Sequence, residues 1–181
     1  MIVAMKRLTG GKKALGGAVE GRRDLGRLLE AIGGEPGSPE PLFVDWEGIE
    51  LATASYQRET IGALQGLIRG RRSHHYLVVA NASDAVREDL ELLARSGGLV
   101  FLTCRLDASG KTSKVHMVGA LDVKAQATFD LVRARGETDA KEHTAWNNRL
   151  AGLVQLGLIA EYTVGKAKRY RPVLGGRVHG D

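Results

Sequence analysis

Two hydrophobic periods alternate along this chain. Short apolar runs at Ile2–Met5, Leu42–Val44, Tyr76–Ala80 and Leu99–Thr103 are each bounded by Gly, Pro or polar residues, the pattern of buried strands. Between them apolar residues recur at intervals of three and four. Leu25, Leu28, Leu29 and Ile32 predict a helix over 22–32, and Val86, Leu90 and Leu93 predict one over 84–95; Gly33-Gly34 and Gly97-Gly98 close them. The organising stretch is 42–67. An apolar strand ends in Asp45, a Glu47-Gly48 turn follows, and a second short run (Ile49, Leu51, Ala52) leads into a helix with Tyr56, Ile61, Leu64, Leu67 and Ile68 on its apolar side. Ser55 is the expected N-cap, its hydroxyl accepting from a free backbone N–H. Gly62, Gly66 and Gly70 recur at fours and predict close helix packing.

The remaining N-terminal pieces are smaller. Lys12–Leu15 reads as a short edge strand, and 35–41, which holds three of the four prolines, as a loop. A polar turn at Asp107–Lys111 makes Val115–Gly119 the hairpin partner of the preceding strand. Strands alternating with helices predict an α/β layer with a parallel or mixed sheet.

After Gly119 the pattern changes. Asp122 caps a helix bearing Ala125, Phe129 and Val132 and ending at Gly136; Thr144–Leu156 repeats the spacing with Trp146, Leu150, Leu153 and Val154. Leu158–Tyr162 and Tyr170–Leu174 then flank a basic turn, Gly165-Lys166-Ala167-Lys168-Arg169. The expected organisation is an α/β domain over 1–120, a small α+β domain over 121–175 and a tail at 176–181.

Composition narrows the class without naming a function. With 181 residues, 43% hydrophobic and 26% charged, the chain has the balance of a folded globular protein. Its N-terminal apolar run is too short for a signal peptide, and no segment reaches the roughly eighteen apolar residues of a membrane span, so a cytoplasmic protein is expected. The single cysteine, Cys104, lies in an apolar run, which excludes an internal disulfide and fits a buried thiol. A net charge of +5 admits an acidic partner but does not establish one.

Candidate enzyme chemistry is thin. Gly110-Lys111-Thr112 ends like a phosphate-binding loop, but Arg105 stands where the first glycine belongs, and a hairpin replaces the strand-to-helix context. His74-His75 has no second pair at metal spacing, so it reads as a surface pair and no metal is expected. An enzyme built on Asp45, Ser55 or Glu59 has only their position in its favour. The chain is expected to be non-enzymatic and to need no cofactor.

Two stretches resemble known families. An apolar strand ending in Asp45, the Gly48 turn and the helix opening Thr53-Ala54-Ser55-Tyr56 are similar to the central motif of STAS domains, the fold of anti-sigma-factor antagonists; Ser55-Tyr56-Gln57-Arg58-Glu59 resembles their STAS-like bacterial relatives. That resemblance implies a partner-binding or sensing α/β domain whose docking residues are Thr53, Ser55, Tyr56 and Glu59. The serine that antagonists present for phosphorylation is replaced by Ala54, so no phosphoswitch is expected. The second stretch, Asp122–Leu174, resembles a winged-helix DNA-binding domain through Asn148-Arg149-Leu150 and the Leu156-Gly157-Leu158-Ile159 passage into a strand. It implies a recognition helix presenting Thr144, Asn147 and Asn148, with Gln155 further along, and a wing carrying Lys166, Lys168, Arg169 and Arg171. The segment 137–143 leaves room for no more than one turn of the usual supporting helix.

Two readings follow. In the first, a STAS-like mixed-sheet domain controls an abbreviated winged helix that binds double-stranded DNA, with a protein partner or a second copy of the chain docking on the N-terminal domain. In the second, the chain is an interaction module of an anti-sigma-like partner-switching circuit. It would bind a histidine-kinase-like ATPase, and its winged helix would serve assembly alone.

Overall fold

The computed structural model describes residues 1–139 and 147–175. The N-terminal half runs β1 (Ile2–Ala4), α1 (Met5–Leu8), β2 (Ala14–Leu15), α2 (Ala18–Ile32), β3 (Glu40–Asp45) and β4 (Leu51–Ala52). One helical stretch follows, made of α3 (Ala54–Gln57), a π-helical turn (Arg58–Gly62) and α4 (Ala63–Gly70). Next come β5 (His75–Ala80), α5 (Asp84–Gly97), β6 (Phe101–Leu106) and β7 (Thr112–Val118). The C-terminal part is α6 (Val123–Arg135), β8 (Thr138–Asp139), α7 (Asn147–Gln155), β9 (Ile159–Val164) and β10 (Ala167–Pro172).

The main sheet has the order β1-β3-β5-β6-β7. Its first four strands are parallel, and β7 returns antiparallel to β6. Each crossover adds a strand on the same side, which lays α2, α4 and α5 on one face. Leu28, Ile32, Leu64, Ile68, Val86 and Leu90 pack there against Leu42, Val44, Leu77 and Val79. The alternate side chains of the same strands, Phe43, Val78, Ala80 and Leu102, point to the opposite face. There they meet Phe129, Val132, Leu150, Leu153, Ile159 and Tyr170 of the C-terminal elements. The result is three layers, and a central strand covered on both sides: all six residues of β5 are buried, which is why Tyr76–Ala80 is apolar without alternation. Among the described residues no helix is long and apolar enough to cross a membrane.

The mixed α/β class and the mostly parallel sheet agree with the sequence pattern; several details do not. The first strand stops at Ala4 and a helical turn follows it. β2 does not edge the main sheet but pairs in parallel with β4. α2 begins at Ala18, ahead of its apolar repeat, because its first turn packs through Gly21: a Cβ there would lie 2.8 Å from the Tyr56 carbonyl oxygen. The helix after β4 is capped by Thr53, whose hydroxyl accepts from Tyr56 N–H, and not by Ser55. Of the three glycines at fours, only Gly62 is close to a neighbour, since a Cβ there would lie 3.6 Å from Leu93 Cδ2; Gly66 and Gly70 face open space. His75, expected at the surface beside His74, is buried at 3% exposure, its Nε2 against the Gly34 carbonyl.

The polar turn ahead of β7 is built as expected. Asp107 accepts from the N–H groups of Ser109 and Lys111, and Gly110 takes a φ of 82°. At the end of β3, Asp45 accepts from Glu47 N–H and from the Asn81 amide, so it stabilises the turn beside it.

Candidate functional site

The C-terminal elements build one exposed surface from a small number of local decisions. Asp122 caps α6 by accepting from Lys124 and Ala125 N–H, both at 2.9 Å. Phe129 and Val132 then bury the inner side of α6, and Leu150 and Leu153 bury that of α7. Asn148, Ala151 and Gln155 are left on the outer face of α7. Gly157, at φ 78°, ends the helix and turns the chain into β9. β9 and β10 pair with Val164 opposite Ala167, leaving a two-residue turn whose first residue, Gly165, has φ 62°. That is where a type II′ hairpin requires glycine. β8 adds to the free side of β10, giving the order β8-β10-β9.

Two buried side chains of α4 tie this surface to the N-terminal layer. Gln65 Nε2 donates to the Val100 and Leu156 carbonyls at 2.8 and 3.1 Å. Arg69, 7% exposed, donates to the Ser73 and His75 carbonyls and, at 3.5 Å, to that of Val154. Its guanidinium lies 4.2 Å from the centre of the Tyr76 ring, and burial lowers its pKa from the ordinary value. Tyr76 Oη in turn accepts from Glu161 N–H on β9. A cation against the last carbonyls of α7 also opposes the negative end of that helix dipole.

The hairpin cations are differently placed. Lys166, at the tip, is exposed and makes no ion pair among the described residues. Lys168 pairs with Glu161 at 2.8 Å, and Arg169 with Glu137 at 2.7 Å. Arg171 stacks on Tyr162 at 5.1 Å and donates to the Pro39 carbonyl. Hydrogen bonds from Tyr162 and Arg169 hold the Glu137 carboxyl below its usual range. Thr144 lies outside the described residues, and Asn147 opens α7. The segment expected to hold a supporting helix, 137–143, begins instead with strand β8, and 140–143 lie outside the described residues.

The expected docking residues of the N-terminal layer are less open. Tyr56 is fully buried, its hydroxyl donating to Asp24 at 3.0 Å, which corrects its expected place on a docking surface. Thr53 and Ser55 are half-buried and share a 3.1 Å hydrogen bond. Glu59 pairs with Arg58 and Arg22, bridging to α2. Burial pushes the Cys104 thiol up to about 11, with the Asp45 charge adding to the shift. Among the described residues no group of three or more His, Cys, Asp or Glu side chains could hold a metal ion.

Sequence reasoning missed Gln65, Arg69 and Glu137. An arginine within Ile68-Arg69-Gly70-Arg71-Arg72 looks like any solvated charge, and only its burial singles it out. No protein-family model, curated protein or solved structure matches the chain.

Proposed function

We propose that this chain is a non-enzymatic regulator that binds double-stranded DNA through α7 and the β9–β10 hairpin, under the control of a STAS-like N-terminal layer. The observation that supports this most is the outer face of α7. That helix belongs to a helix–strand–helix–hairpin series with β8 on β10, the order on which winged helices are built, and it buries two leucines while offering Asn148 and Gln155 to solvent. Side-chain amides are the groups that bond adenine edges in a major groove. Lys166 and Lys168 stand on the adjoining hairpin, where a wing would meet phosphates. The N-terminal layer would receive the controlling protein or a second copy, with the half-exposed Thr53, Ser55 and Glu59 as its docking rim.

Paired substitutions test the assignment. Lys166→Ala with Lys168→Ala is expected to weaken binding to every duplex alike and to flatten its salt dependence. Asn148→Ala is expected to change which sequence is preferred, by about 1–3 kcal/mol at one base position. Equal losses for both variants on every duplex would contradict base reading.

A second reading has its own support. Three of the four hairpin cations already have partners: Lys168 with Glu161, Arg169 with Glu137, and Arg171 with Tyr162 and Pro39. A hairpin neutralised in this way suits a protein interface. On that reading the chain forms a stable complex with a histidine-kinase-like ATPase and has no salt-sensitive affinity for DNA.

A further inference from the structure

The turn between α4 and β5 ends the helix in a form that normally takes glycine. Ser73 N–H donates to the Ile68 carbonyl at 3.0 Å and Arg72 N–H to that of Arg69 at 3.1 Å, the paired bonds of a Schellman cap. The residue that donates the second bond, the first beyond the helix cap, must be left-handed, and here it is Arg72, at φ 53°. Glycine enters that region without a steric penalty, whereas a side chain with a Cβ is disfavoured there. An arginine held against its backbone preference points to a task for its side chain.

Arg72 stands on one wall of an open groove of about 320 Å³. His74 shares that wall, Ala151 and Gln155 from the outer face of α7 form the other, and Lys168 with its partner Glu161 closes the hairpin end. The Arg72 side chain is exposed and makes no ion pair or hydrogen bond among the described residues. The two walls are not independently placed. Gln65 and Arg69, one and two helical turns along α4, bond the Leu156 and Val154 carbonyls, which fixes the turn beside α7.

We propose that Arg72, a residue of the N-terminal layer, contacts a DNA phosphate beside α7, and that the groove is the track of one strand's backbone. The inference rests on the DNA-binding reading above and extends its footprint across both parts of the chain. A duplex seated on the outer face of α7 is flanked by its own phosphate backbones, and a guanidinium next to that face meets one of them. Such a contact adds affinity and salt dependence without sequence preference.

Arg72→Gly in the full chain separates this role from a structural one. Thermal melting is expected to be unchanged or raised by a few degrees, since glycine suits the left-handed position. In a salt series with random-sequence duplex DNA, the slope of log affinity against log salt is expected to fall by about 0.9, the value of one phosphate contact. Arg72→Lys is expected to keep most of that slope. If Lys166→Ala lowers the slope while Arg72→Gly leaves it unchanged, the phosphate contact is wrong and the DNA-binding reading stands. If the unaltered chain binds no duplex at low salt, both fail. A lower melting temperature for Arg72→Gly would remove the backbone argument and overturn the inference.

Discussion

Thr53 and Ser55 illustrate what a single position decides. Both hydroxyls lie at the start of the helix that follows β4, and the sequence pattern favours Ser55 because it stands next to the first apolar residue. The chain enters its helix two residues earlier, so Thr53 Oγ1 receives the Tyr56 N–H and also lies 3.3 Å from Gly17 N. Thr53→Ala is therefore expected to destabilise the fold by about 1 kcal/mol. Ser55→Ala should cost less than half of that, and urea unfolding midpoints compare the two. Equal losses would mean that the cap is shared. A hydroxyl near a helix start was legible from sequence; which one caps depends on where β4 releases the chain, and only the β2–β4 pairing fixes that.

At the level of elements, the α3–α4 stretch resolves an irregular spacing. Tyr56 and Ile61 are five residues apart, which on a regular α-helix would turn them about 140° from one another. Both are fully buried because the intervening turn, Arg58–Gly62, is π-helical and its wider bonding brings them to one side. The apolar positions were legible, but the widened turn was not, since nothing in Arg58-Glu59-Thr60 names it. Gly21 is similar: its role comes from the nearness of α2 to Tyr56, a contact between residues thirty-five apart in sequence. At the other end of the stretch, Arg69 supplies donors to three carbonyls on two layers. Arg69→Met would leave those acceptors buried without their charged donor, and a loss of about 2–4 kcal/mol is expected in denaturant unfolding. A change below about 0.5 kcal/mol would contradict the role assigned to it. At the sheet's open edge, β7 carries Lys114 at φ 46°, where the β6–β7 register shifts. A bulge and a lysine on an edge strand oppose pairing with another chain.

Across the whole molecule, the two parts that differ in sequence pattern share the central sheet. Its strands were read from their apolar runs, and apart from the short α1 the order of strand and helix was legible in the N-terminal half. That α6, α7 and the hairpin would lie against the far face of that sheet was not drawn from the sequence, although β5 held the clue: Tyr76–Ala80 runs without an alternating polar position, and such a run needs cover on both sides. The polar ties from Gln65 and Arg69 lie beyond periodicity altogether, because they pair residues eighty-five or more positions apart. Their consequence is that α7 is held directly against the N-terminal layer by bonds from α4. The most direct test is binding of the purified full chain to random-sequence duplex DNA across a salt series. Affinity that falls steeply and log-linearly with salt, as several phosphates are neutralised, is the predicted result. No binding at low salt would contradict the DNA-binding account and leave the protein-interaction reading in its place.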